Sequence, residues 1–255
     1  MEMTFDQYIS NPMGIKNSVF SGREMYRTLY KEKLDKILLR ESGKVKYTLY
    51  KSKNAYYVHF KIPSEPIKDF YYDTVIELYT DKSLGTTRSL KNHYVKFYSN
   101  DPSFVFTFAH AMKSNDMFIK DLEPKMSKRA LKEKAKERNP KDEVGYVKSI
   151  FFAYLLMKQY GLFEKVVFDS YAEKYDKKIL LSNILDADEK VQARIDAGEN
   201  LAKENKKSKE RKPSPRPAIN DDMLSNNTKT AKGISTVKTV GKSKTTKTTK
   251  RIKSK

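Results

Sequence analysis

The chain has no cysteine, no tryptophan and only nine glycines in 255 residues. Without cysteine there are no disulfides and no thiolate metal sites, a composition that fits a reducing compartment. With so few glycines, phosphate-cradling loops are not expected. Neither Gly-x-x-x-x-Gly-Lys-[Ser/Thr] nor Gly-x-Gly-x-x-Gly occurs, and His-Glu-x-x-His is missing too. The longest strongly apolar stretch, Ile150 to Met157, is flanked by Lys148 and Lys158. It falls well short of the ~20 residues a membrane helix needs, so no membrane partner is expected. The opening Met1-Glu-Met-Thr-Phe-Asp6 is acidic, without the basic and then apolar order of a secretory signal.

Two absences divide the chain. All seventeen Tyr and thirteen Phe fall at or before Tyr175, and no acidic residue follows Asp222. Residues 201–255 carry seventeen Lys/Arg against four Asp/Glu, so they hold +13 of the chain's net +20. Such a segment buries too little apolar area to offset the entropy of ordering its backbone. The expectation is a globular α+β domain over residues 1–200 and a disordered Lys/Ser/Thr-rich tail over 201–255.

That tail is suited to a polyanion. Lys203, Lys206, Lys207, Lys209, Arg211 and Lys212 open it, and Lys238, Lys242, Lys244, Lys247, Lys250, Arg251, Lys253 and Lys255 close it. Cations spaced along an extended chain track phosphates without reading bases, and the interspersed Ser and Thr hydroxyls add donors. The bland alternatives are a solubilising tail or one that meets an acidic protein surface. A second basic element lies inside the domain, at Lys125, Lys128, Arg129, Lys132, Lys134, Lys136 and Arg138, interrupted by Glu133 and Glu137. Lys128, Arg129, Lys132 and Lys136 are its candidate phosphate contacts, although most basic helices are merely solvated.

Hydrophobic period sets the remaining expectations. Thr4-Phe-Asp-Gln7 and Ser21-Gly-Arg-Glu24 have the form of capping boxes, the second with Phe20 and Met25 as a staple. After it, Tyr26, Leu29, Tyr30, Leu34, Ile37 and Leu38 recur at helical spacing, and Gly43 can end the helix. Val45 to Leu49 and Tyr56 to Ile62 alternate across a turn and predict a β-hairpin with one buried face. Phe70 to Thr80 and His93 to Tyr98 add strands, separated by a loop through Asp81, Gly85 and Thr87, for a small antiparallel sheet of three or four strands. Asp101-Pro102 then starts a helix with a stripe at Phe104, Val105, Phe108, Ala109 and Met112. Ser127 is expected to cap a basic helix over Lys128 to Arg138. Asp142 to Tyr160 reads as the most apolar helix, ended by Gly161. Asp176 caps a helix through Leu185, and a polar helix from Asp186 to Asn205 frays into the tail. The strand tyrosines Tyr56, Tyr57, Tyr71, Tyr72, Tyr94 and Tyr98 can stack on bases, but core packing is the simpler use.

No catalytic residue, metal ligand or cofactor is assigned. His59, His93 and His110 stand apart; His59 alternates with the apolar residues of its strand and is expected to face solvent. Asp186-Ala-Asp-Glu189 is better explained by the dipole of a helix start than by Mg²⁺.

The strings Thr4-Phe-Asp-Gln-Tyr-Ile9, Asn11-Pro-Met-Gly14, Tyr98-Ser-Asn-Asp-Pro-Ser-Phe-Val-Phe-Thr-Phe-Ala-His110 and Glu143-Val-Gly-Tyr-Val-Lys148 resemble proteins of tailed bacteriophages. The resemblance covers residues 4–200. It implies a virion structural or morphogenesis protein near the head, neck or packaged genome, located in the virion or in the host cytoplasm during assembly. Its implied partners are other virion or assembly proteins and nucleic acid, with homo-oligomerisation left open. It implies no catalytic residue. The alternative is a free single-stranded DNA- or RNA-binding accessory protein of replication or expression.

Overall fold

The computed structural model describes residues 2–10, 23–41, 45–80, 89–145 and 147–210. The fold is mixed α+β, built around a five-stranded mixed sheet.

Helix α1, Phe5–Ser10, begins on the capping box. The Thr4 amide donates to Gln7 Oε1 at 2.8 Å and the Gln7 amide to Thr4 Oγ1 at 3.2 Å, pairing two groups the helix leaves free. Phe5, Tyr8 and Ile9 are buried, and the Tyr8 hydroxyl donates to the Gly145 carbonyl at 2.6 Å. Helix α2, Arg23–Arg40, buries Leu34, Ile37 and Leu38 at the expected spacing. Its Arg40 guanidinium donates to the Ser64 and Glu65 carbonyls. Ser21, Phe20 and Gly43, assigned to its ends, lie outside the described residues, as does the loop through Asp81, Gly85 and Thr87.

Strands β1 (Tyr47–Lys51), β2 (Ala55–Pro63), β3 (Tyr71–Tyr79) and β4 (Tyr94–Ser99) pair antiparallel in succession. The fifth strand, β5 (Glu173–Lys174), joins parallel to β1 and gives the order β4-β3-β2-β1-β5. It exceeds the expected three or four because two residues are too few to show any alternation.

The hairpin of β1 and β2 is present, but both its faces are buried rather than one. By register, Val58, Phe60, Thr74, Ile76, Phe97 and Ser99 share one face. Helix α5, Lys148–Gln159, packs there, and its Ser149 hydroxyl bonds to Ser99 at 3.2 Å. Tyr50, Tyr57, His59, Asp73, Glu77 and Tyr98 share the other face. It is covered by residues 120–125, by Tyr175 and by helix α7, Lys177–Ser182. Tyr98 donates to the Lys125 carbonyl, Tyr175 stacks on Tyr57 at 4.2 Å, and Asn183 meets the Tyr50 hydroxyl. His59 therefore does turn away from the apolar set, yet it is buried, because its own face is roofed as well.

Beyond β4, Asp101 Oδ1 accepts from the Ser103 amide and hydroxyl, both at 2.8 Å. The helix it starts widens at once into a π turn, Phe104–Phe108, where the Ala109 amide reaches back to the Phe104 carbonyl. Helix α3, Ala109–Ser114, continues it. The expected basic helix is cut short: α4 spans only Lys128–Lys132, Ser127 makes no side-chain cap, and Glu133 is already extended. Clustered cations without an N-terminal cap give such a helix little support.

Helix α5 starts at Lys148 rather than Asp142, because Asn139 ties down the chain before it. The Asn139 amide donates to the Glu143 carbonyl and its Oδ1 accepts from the Glu143 amide. Gly161 ends α5 as expected, at φ 68°, with Leu162 N–H bonded to Met157 and Gly161 N–H to Lys158. After α6 (Lys165–Tyr171), Asp176 caps α7 at 2.7 and 3.4 Å, although that helix stops at Ser182 rather than Leu185. Helix α8, Ala187–Glu210, has Asp188 and Glu189 in its first turn, the dipole-favoured position. The first ten residues expected as tail, which carry Lys203, Lys206, Lys207 and Lys209, are thus the end of a helix. Arg211, Lys212 and every later tail cation lie outside the described residues.

Candidate nucleic-acid interface

The helix start at Asp101 and the π turn shape the surface where the domain's basic residues collect. Phe104, Val105 and Thr107 are buried in that turn, Phe108 is partly buried against the core, and Phe106 between them is 54% exposed. A π turn adds a residue to the helical circuit, so side chains around it leave the regular stripe and a carbonyl is released. Asn139 Nδ2 donates to one of these carbonyls, that of Thr107, at 3.2 Å. Opposite, the His110 imidazole bonds to Asp142 at 2.7 Å, with Asp142 held at φ 54°. These contacts secure the segment following α4 beside the π turn.

The result is an open groove of about 420 Å³ between Val105 and Phe106 on one side and Ser127 to Arg138 on the other. Arg129, Lys134, Lys136 and Arg138 line it, with Glu133 and Glu137. Arg129 is paired to Glu133 at 3.1 Å, an i,i+4 contact. Among the described residues Lys134, Lys136 and Arg138 form no ion pair, and all are exposed. The sequence-assigned patch is therefore redistributed. Arg129 and Lys136 share the groove. Lys128 lines a neighbouring recess with Asp186 and Asp188, and Lys132 lines neither. Lys134 and Arg138 belong with the first two, and Phe106 was not singled out at all. The available signal was position: Phe106 falls outside the stripe through Phe104, Val105, Phe108, Ala109 and Met112.

The interior polar groups have another character. His59 Nε2 donates to Asp73 Oδ1 at 2.9 Å, and Asn100 Nδ2 donates to Asp73 Oδ2 at 3.0 Å. The Asp73 amide donates to Asn100 Oδ1 at 2.8 Å. Burial opposes the charge of Asp73, but these hydrogen bonds and nearby Lys61 outweigh it and hold the carboxyl below its usual range. Glu77, on the same face, shifts the other way: burial raises it, and Asp121 and Asp116 add to that against Tyr57 and Lys96. His93 is buried with neither ring nitrogen hydrogen-bonded among the described residues, edge-on to Tyr56 at 5.9 Å, and burial lowers its pKa. Tyr56, Tyr57, Tyr72 and Tyr98 are buried and serve the core. Among the described residues no group of three or more His, Asp or Glu is placed to hold a metal ion, and no helix is long and apolar enough to cross a membrane.

No family model, curated protein or solved structure matches the chain.

Proposed function

We propose that this protein is a non-enzymatic structural or assembly component of a tailed-phage virion that binds nucleic acid through charge. Its α+β body makes the protein–protein contacts, and the cations from Lys203 onward contact phosphates without reading sequence. The carrying observation is the charge of residues 201–255, +13 with no acidic residue after Asp222. A cationic segment of this kind displaces counterions from a polyanion, and that release drives binding. The resemblance of residues 4–200 to tailed-phage proteins supports the virion setting.

The test has two arms. If the tail neutralises ~6–8 phosphates, binding to duplex DNA falls with salt at a log–log slope of about −5 to −7. A flat response refutes the charge mechanism. Mass spectrometry of purified virions reports the setting: stoichiometric copies support a structural role, and consistent absence removes it.

A second reading, a free single-stranded DNA- or RNA-binding accessory protein, is favoured by one feature, the exposed Phe106 beside unpaired cations. It predicts absence from virions together with tighter binding to single strands than to duplex.

A further inference from the structure

We infer that the groove between the π turn and residues 129–138 is a single-stranded DNA site in which Phe106 stacks on an unpaired base while Lys134, Lys136 and Arg138 hold the adjoining phosphates. This rests on the nucleic-acid reading above and assigns to the body a contact independent of the tail.

Three observations converge on it. Phe106 is the exposed member of a run whose other aromatics pack inward, so its ring face is open to a ligand. Its position is built rather than accidental, because the π turn that displaces it is locked by Asn139 on the Thr107 carbonyl. The facing segment offers three cations with no carboxylate partner. An aromatic face next to unpaired cations matches the two parts of a nucleotide, a flat base and an anionic phosphate.

The chemistry narrows the occupant. Bases in a duplex are already stacked on each other, so only a single strand can offer a free face to Phe106. An acidic peptide would satisfy the cations but leave the ring uncovered. The groove, about 420 Å³, lies within the ~300–1,000 Å³ range of small-ligand clefts and accepts a nucleotide. Its remaining polar side chains are Ser127, which is buried, Glu133, which is engaged by Arg129, and Glu137. A deoxyribose strand therefore satisfies the groove without a 2′-hydroxyl, and the RNA arm of the test below decides the assignment to DNA.

The test uses the full chain and a deoxythymidine oligonucleotide of about eight nucleotides, within the ~4–16 typical of such sites. Phe106→Ala is expected to weaken binding at least about fivefold, the lower end for loss of one base–aromatic stack. Phe106→Tyr, which keeps a ring, is expected to bind as wild type. The Phe106→Ala loss should persist as salt rises, whereas the tail contribution shrinks. With 5-iodouracil in the oligonucleotide, ultraviolet crosslinks should map to the peptide containing Phe106 and vanish in Phe106→Ala. Unchanged affinity in Phe106→Ala, crosslinks confined to residues 201–255, or an equally large Phe106→Ala loss on a duplex of the same length would overturn the proposal. Tighter binding of the matching RNA would overturn the assignment to DNA. The two readings fail separately. A flat salt response on duplex DNA removes the tail mechanism and leaves the Phe106 result standing; a steep one with Phe106→Ala unaffected does the reverse.

Discussion

The Asp73 cluster and the Phe106 groove are both charged, yet they treat charge in opposite ways. Asp73 is 4% exposed and both its oxygens accept hydrogen bonds, from His59 and from Asn100. In the groove, Lys134, Lys136 and Arg138 face water with no ion-pair partner among the described residues. Buried charge persists only where partners offset its desolvation, so the interior cluster is committed to holding β2, β3 and the end of β4 together. Exposed cations held in no ion pair contribute little to folding and remain free for a ligand. The contrast separates charge that maintains the fold from charge that serves recognition.

The largest expected effect falls on the interior side. Asp73→Ala strips His59 and Asn100 of their shared acceptor and should cost ~3–5 kcal/mol, read from urea unfolding. A loss under ~1 kcal/mol would break the comparison. Next comes the close approach of Gly145 to the π turn. A methyl group at Gly145 would collide with the Phe108 ring, on the segment that also receives the Tyr8 hydroxyl. Gly145→Ala should therefore cost ~1–3 kcal/mol, with a matching fall in thermal midpoint.

Acid sharpens the picture. Burial lowers the pKa of His93, so below its unfolded value of ~6.5 the unfolded chain takes up a proton that the native state refuses. Stability should be fully present above that pH and decline as pH falls through it, and His93→Phe should flatten this limb in a chemical-denaturation pH series. Asp73, depressed in the fold, acts later: its contribution holds above ~3.9 and is lost as pH falls further. The smallest effect is in the groove. Lys136→Ala or Arg138→Ala should leave stability within ~0.5 kcal/mol while lowering the DNA salt slope by about one each.

Local signals were legible and composite ones were not. The Thr4–Gln7 box, the Asp176 cap and the Gly161 stop each depend on a few neighbouring residues, and each is formed. The four longer strands follow from period two, but β5 is held by pairing with β1 rather than by its own pattern. His59 was misplaced because alternation says which side a residue takes, not whether that side is covered. Of the groove, the sequence showed the cations; the π turn is tied to Asn139, which reaches Thr107 across 32 residues, a contact no window of sequence contains.

The π turn makes the surface sensitive to chain length as well as to residue type. Five residues at the wider π pitch turn the chain about as far as four in an ordinary α-helix, so removing one residue from Phe104–Phe108 would let an α-helix re-form with its flanks almost unrotated. The extra position that sets a ring outside the buried stripe would be lost, and the cations opposite would lose their aromatic neighbour. A single in-frame codon loss could thus silence the groove while sparing the sheet, and the reverse insertion could restore it.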